Sequence, residues 1–445
     1  MVIDQVVNSL FQDNRPMKHL TLTAIVLLWT IAVLSCRKEI DAEEVRNDLG
    51  TVVKKQPIWQ APNTADMNEA GGRIGYSIII DGNVLDTYTS DKGKEKMILR
   101  DPQTGMVKWE WADMLRDFEP VSLNRRTAYQ FDHYLFYNYG PRNYSIDVRT
   151  GKTVWRQVTG YSAFPTSAML GSAYFTKGTP QALQDQSIVE DRVYVGDIRT
   201  GREREVVMPA YSHKSIRQEA SWKQWIGLIP DIQPIVEGSD TLLLIPFTET
   251  APTRYGFEAH IGLYNMTQQK WVYERKRLNE QWSEGFNTSW LTIAGDKMFT
   301  ILNNAVACSN WRTGELIWFR PLPSFAAIPT PIEDKYLAVF STDSRLFLLD
   351  INTGQTIWEK NREIMSTTSQ MYYDQGILYY LTANLNAVEI PSGKKLWSIA
   401  SATDGKKSGH FWGFVTGTPG TGGQKGRIFT RTGYHTYCFE AIKRA

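Results

Sequence analysis

The sequence predicts an all-β fold: an eight-bladed β-propeller of four-stranded antiparallel blades, its ring closed by pairing N- and C-terminal strands. Three observations carry this. A phrase of the form D-x-x-T-G-x-x-x-W recurs along the 445 residues at intervals of 39–66. Each copy has turn chemistry in its middle and apolar, β-branched or aromatic residues on both sides. The two ends of the chain each supply part of one more copy.

Local chemistry justifies each element. In "LLDINTGQTIW" (348–358) a run of Leu and Phe leads into Asp350. Asn352, Thr353 and Gly354 then supply a turn, because Asn and Gly tolerate a left-handed backbone and an Asp side chain accepts loop N–H groups. Strand character resumes with Thr, Ile and Trp, so the phrase reads as a hairpin. Sister copies are "DPQTGMVKW" (101–109), "DVRTGKTVW" (147–155), "NWRTGELIW" (310–318) and "EIPSGKKLW" (389–397). "DIRTGRERE" ends on Glu205 instead of Trp, and "NMTQQKW" (265–271) reads as a copy shortened by two residues that has lost its Gly. A period of about 40–50 residues with strand content indicates propeller blades. The long interval between Glu205 and Trp271 implies an insertion of about 20 residues over that period.

The eighth blade is split. "IFTRTGYHTYCFEA" near the C-terminus matches the run that precedes each turn, with Glu440 at the Asp position. The missing outer strand is "KKQPIW", which places Trp59 at the motif's last position. Pairing the two removes free sheet edges, and Pro57 is tolerated on an outermost strand.

Over residues 50–442 these copies resemble the tryptophan-docking repeats of pyrroloquinoline-quinone-type β-propellers. The resemblance implies that Trp59, Trp109, Trp155, Trp271, Trp318, Trp358 and Trp397 are structural, each packing against the neighbouring blade. It also raises quinone-dependent dehydrogenase chemistry. Such enzymes hold the quinone in the central funnel with Ca²⁺ and a catalytic Asp, and many carry a disulfide between adjacent cysteines. This chain has no Cys-Cys pair, lacks their long blade insertions, and offers no stretch resembling an oxygen-ligand cage. Its six histidines show no HExxH or paired spacing. "GTPGTGGQKG" (417–426) imitates a phosphate loop without the Lys-Ser/Thr ending, and no GxSxG is present. The expectation is a protein without catalytic residues, metal or cofactor.

Composition is that of a globular chain, 42% hydrophobic and 22% charged. A net charge of +2 without a basic block argues against nucleic-acid binding. The N-terminus carries an address. Lys18 and His19 precede an apolar run over 20–34, and Ser35-Cys36 follows. A basic start, an apolar centre and a small residue before the cut mark a secretory signal over 1–35. Residues 1–16 lack signal character, which makes Met17 a candidate start. "VLSC" resembles a bacterial lipobox, implying lipidation of Cys36, a tether over 36–50 and a single propeller domain over 51–445. An uncleaved anchor, or a plain signal with a chance Cys, are the competing readings. The acidic "CRKEIDAEE" resembles a surface-export tag or is a solvated linker. Cys308 and Cys438 lie at equivalent places on blades five and eight, too far apart for a disulfide, and are expected as buried free thiols.

Two segments are candidate partner contacts. The stretch 212–234, in the oversized unit, carries Arg217, Trp222 and Trp225. Trp and Arg are favoured interface anchors, and loops on rigid scaffolds carry function; the same tryptophans could instead fold back over their own blade. "GHFWGF" (409–414) carries His410 and Trp412, which either stack on a sugar or peptide or plug the funnel. The combined expectation is a monomeric, non-catalytic outer-membrane lipoprotein, facing the periplasm or the cell surface, that binds an envelope protein partner. It is similar to the lipoprotein propellers of outer-membrane β-barrel assembly. The alternatives are a quinoprotein dehydrogenase and a glycan-binding lipoprotein of polysaccharide uptake.

Overall fold

The structure is a computed structural model, and it describes residues 51–52, 56–65, 76–90, 92–117, 119–124, 126–162, 167–211, 224–250, 257–278, 291–302, 304–324, 329–361, 370–382, 384–399, 403–404, 407–408, 411–421 and 424–442. Residues 1–50, where the expected signal, the Cys36 lipidation site and the expected tether fall, lie outside them.

Each recurring phrase folds as a turn between the last two strands of an antiparallel sheet. Blade 6 is representative: Thr330–Ile332, Tyr336–Ser341, Arg345–Asp350 and Thr356–Lys360 pair in sequence order. At the turn, Asp350 Oδ1 accepts the N–H groups of Asn352 and Thr353, both at 2.9 Å, and the Thr353 hydroxyl at 3.0 Å. Asp101 does the same for Gln103 and Thr104. Carboxylate acceptance therefore replaces water at the loop's orphan donors, which fixes the turn from sequence alone.

Blades 1 to 7 span 78–111, 128–158, 167–207, 233–277, 291–321, 330–360 and 372–399. Blade 8 uses 412–440 for three strands and Trp59–Pro62 for its outermost, with Trp59 opposite Cys438 and Pro62 opposite His435. The two chain ends thus share one sheet, as expected. The middle strands are buried on both faces, and outer strands alternate; Thr356–Lys360 shows the alternation and Arg345–Asp350 the continuous burial. Both faces are covered because each sheet lies between two others. The cores accordingly sit between blades: Phe299, Cys308 and Trp318 of blade 5 pack with Leu337, Val339 and Leu349 of blade 6.

The closure is held by charge as well as by the strand. Arg431 of blade 8 reaches Asp86 of blade 1 at 2.9 Å and the Thr87 hydroxyl at 2.6 Å. Thr436 bonds the same Asp86 carboxylate and, at 2.7 Å, Asn63. Arg100 donates to Pro62 O at 2.8 Å. All these side chains are buried. Burial works against the Arg431 charge and Asp86 opposes that effect.

The expected insertion lies between blades 3 and 4. Gln224–Leu228 is a short strand that pairs antiparallel with the far end of the long strand Asp240–Thr250. On its other side it pairs in parallel with Ile188–Glu190, an excursion of blade 3 that follows the one short helix among the described residues, Gln181–Gln184. Blades 3 and 4 are therefore joined by main-chain hydrogen bonds.

Candidate functional site

The motif residues form joints between blades. The Trp59 indole N–H donates to Pro102 O at 3.0 Å, Trp155 to Ile198 O at 2.7 Å, Trp318 to Ile351 O at 3.1 Å and Trp358 to Pro391 O at 2.8 Å. Trp109 donates to Val148 O. Each acceptor lies in the next blade's turn, and each ring lies over that turn's glycine. A Cβ on Gly105 would stand 2.7 Å from the Trp59 ring, and Gly105 has φ +73°. Glycine is therefore required there twice, for the backbone and for the close approach. Trp397 is buried in the core shared by blades 7 and 8, beside Tyr379 and Phe439.

Trp271 behaves differently from the expectation. It packs edge-on to Tyr264 at 5.2 Å and against Gly262, on the core that blade 4 shares with blade 3 and not toward blade 5. The joint to blade 5 is made by Tyr273, whose hydroxyl donates to Trp311 O at 2.7 Å and whose ring lies beside Gly314. Register explains the exchange. In blade 5 Trp318 pairs with Cys308, two residues before Asn310; in blade 4 Tyr273 pairs with Leu263, two residues before Asn265. The turn is not shortened. Counting eight residues from Asn265 reaches Tyr273, and the indole stands two residues earlier.

At the blade 3–4 joint the motif's indole position is held by Glu205, which pairs with Arg192 at 3.1 Å. Asp191 takes over. It is buried, and its carboxylate accepts the Ile229 N–H at 3.1 Å and the Thr179 hydroxyl at 3.0 Å, with Lys177 Nζ at 3.4 Å. Tyr211 donates to its carbonyl at 2.9 Å. A second buried pair lies on the axial side. Arg126, just before the inner strand of blade 2, meets Asp231, just before that of blade 4, at 2.5 Å. Leu291, which opens the inner strand of blade 5, donates its N–H to the same carboxylate at 3.0 Å. One Asp thus ties the inner edges of blades 2, 4 and 5 together.

Of the expected partner residues, Arg217, Trp222 and His410 lie outside the described residues. Trp225 falls in the strand Gln224–Leu228, opposite Val189, and Trp412 opens the inner strand of blade 8, opposite Arg431. The backbone of both is therefore part of a sheet and not of a free loop. Cys308 and Cys438 are buried free thiols, each a small rung between an aromatic pair: Phe299 and Trp318, Phe429 and Trp59. Burial pushes both thiols up to about 12.

Two arrangements could in principle do chemistry. Glu249, Glu258 and His260, all buried on the long hairpin of blade 4, bring ligand-type atoms within 4.8 Å of one another. The Arg275 guanidinium already bonds both carboxylates, Glu258 at 3.1 Å, so the cluster has its counter-ion built in. Each imidazole nitrogen also faces a different carboxylate, at 3.6 and 3.5 Å, which is the geometry of a clamped ring.

The other is an axial cavity of about 470 Å³, walled by the inner strands of blades 7, 8, 1 and 2: Gln370 and Tyr372, Val415 to Gly417, Ile78 to Asp81, and Ala128 to Gln130. This is the region in which the fold family holds a quinone with Ca²⁺. The lining does not fit that pair. A tricarboxylate quinone needs cationic donors and Ca²⁺ needs six to eight oxygens; among the described residues the wall contains no Lys or Arg and one carboxylate, Asp81.

Residues 267–445 match the family described as outer membrane protein assembly factor BamB. None of the curated proteins matches the chain. Among solved structures, a quinohemoprotein alcohol dehydrogenase from Comamonas testosteroni is 10% identical, with 88% of this chain and 79% of that one covered and a TM-score of 0.58. Sqt1 of Saccharomyces cerevisiae is 10% identical, with 89% and 100% covered and a TM-score of 0.56. BamB from Moraxella catarrhalis is 19% identical, with 70% and 82% covered and a TM-score of 0.45. At such identities these likenesses speak to fold alone.

Proposed function

We propose that this chain, a pyrroloquinoline-quinone-like repeat β-propeller similar to BamB, is a non-catalytic protein-binding scaffold of the bacterial cell envelope, serving outer-membrane protein assembly. Lipid on Cys36 tethers it to the outer membrane, and residues 51–445 act as one rigid domain. The observation that carries the reading is the division of labour among its unusual residues. The indoles, their glycines and Asp191 are consumed in holding blades together, and among the described residues the axial wall offers no cation and a single carboxylate to a quinone and its metal. The insertion at 212–234, with Arg217, Trp222 and Trp225, and the segment at 409–414, with His410 and Trp412, are the proposed contacts for an envelope protein.

Affinity capture from a solubilised envelope extract tests the reading. A β-barrel assembly protein should be recovered by the native chain and lost with Arg217→Ala and Trp222→Ala, while the circular-dichroism spectrum is retained. Labelled palmitate should enter the native protein and not Cys36→Ala. Visible absorbance and dye reduction on adding the quinone with Ca²⁺ and an alcohol would overturn the non-catalytic part alone.

A further inference from the structure

We propose that the axial cavity between blades 7, 8, 1 and 2 binds a neutral saccharide of one or two sugar rings. Its volume, about 470 Å³, falls within the range of about 300–1,000 Å³ for small-ligand sites. The wall is amphipathic in a particular way. Ile78, Ile80, Val415 and Ala128 are buried behind it and make it apolar. Polar groups with open capacity are set into that background. Thr416 Oγ1 is sheltered from solvent and has no hydrogen-bond partner. The side-chain amide of Gln370 and the hydroxyl of Tyr372 make no hydrogen bond among the described residues.

The tyrosine is also preorganised. Gly417 has no side chain, and a Cβ there would stand 2.3 Å from Tyr372 Cε1, so the ring lies directly across the inner strand of blade 8. Tyr379 stacks behind it, centroids 6.2 Å apart. Burial, with Asp374 adding to it, pushes the Tyr372 phenol up, so it is a neutral donor at physiological pH. A platform held in this way loses little freedom when a ligand arrives.

Ligand classes can then be sorted by chemistry. An anion finds no cationic partner among the described residues of this wall and meets the Asp81 carboxylate. A purely apolar ligand leaves the Thr416 hydroxyl, the Gln370 amide and the Tyr372 phenol unmet, which opposes binding. A pyranose matches both halves: its C–H face packs on tyrosine and isoleucine, and its hydroxyls both donate and accept toward groups that do the same.

The test uses the full chain and isothermal titration with cellobiose, maltose and N-acetylglucosamine, with glucuronic acid as the charged analogue. A neutral sugar should bind in the millimolar range or tighter, and Thr416→Val with Gln370→Leu should weaken it at least about tenfold, with an unchanged melting temperature. Saturation-transfer NMR on the same samples should place ring protons against tyrosine. The proposal falls if no neutral sugar binds, if binding survives both substitutions, or if glucuronic acid binds as well as the neutral sugars. Should the double variant melt early, Thr416→Ser, which keeps the hydroxyl, must retain binding while Thr416→Val alone loses it; equal affinity of the two is likewise fatal.

Discussion

Tyr273 donates its hydroxyl to the carbonyl of Trp311 at 2.7 Å, from the position that the Trp318 indole holds in the following joint. A phenol reaches the next turn there because Gly314 leaves room beside the ring. Removing only the hydroxyl, as Tyr273→Phe, should lower stability by about 0.5–1.5 kcal/mol, the range for a single hydrogen bond. Tyr273→Ala should cost about 3–5 kcal/mol, as for deletion of a large core aromatic. Tyr273→Trp should be tolerated. Guanidinium unfolding curves separate the three, and a silent Tyr273→Phe would deny the joint its bond.

Arg431 and Asp86 test the closure of the ring. Arg431→Ala leaves a buried carboxylate facing Arg100 only at 3.7 Å, and breaking a buried pair from one side costs about 3–5 kcal/mol. Limited proteolysis should then release the N-terminal strand Trp59–Pro62 ahead of the rest. Replacing both members with apolar residues should restore much of the loss, since no charge is left buried.

Asp191 serves the joint where Glu205 holds the motif's indole position. Asp191→Ala strands the Ile229 N–H, the Thr179 hydroxyl and the Lys177 ammonium at once, and a loss of about 3 kcal/mol or more follows from the unmet groups. Hydrogen exchange should rise first in Ile188–Glu190 and Gln224–Leu228. A uniform rise across all eight blades would contradict a local role.

Acid sensitivity should come from the turns. Asp147 is held down to about 2, chiefly by its Arg149 side-chain bonds. At Asp197 the Arg199 side chain likewise dominates in lowering the carboxyl. At Asp101 and Asp350 burial pushes upward, but the loop N–H and Thr hydroxyl bonds outweigh it and the net direction is down. A folded value below the unfolded one means the contribution is complete above about pH 4 and fades as pH falls toward 2. Asp147→Asn should flatten the stability profile in that window. Blade 5 already has Asn310 at this position, so Asn310→Asp should add acid sensitivity. Thermal melts from pH 2 to 6 measure both.

The blade count and the split eighth blade were legible because they rest on local chemistry: an Asp, a Thr-Gly and an aromatic at fixed offsets. The same offsets pointed to Tyr273, yet residue identity favoured Trp271, and only the strand register, with its extra residue at Val272, shows which aromatic faces the next blade. The blade 3–4 stitch was invisible, since Ile188–Glu190 and Gln224–Leu228 are unremarkable runs until a parallel pairing brings them together. The axial cavity was hidden for a similar reason: its wall comes from four short segments near 79, 129, 371 and 416, none of which carries a motif.

By itself, then, the sequence determined that the chain makes repeated four-stranded sheets with docking aromatics, and that its two ends complete one of them. Turn geometry and strand propensity act over about ten residues, so they can be read from composition and spacing. Only the tertiary structure decided which aromatic serves each joint, how Asp191 and Asp231 tie blades together, and that the described axial wall brings together one carboxylate and no cation. Those outcomes depend on which faces meet when the ring closes, and side chains distant in the chain acquire their roles only through that meeting.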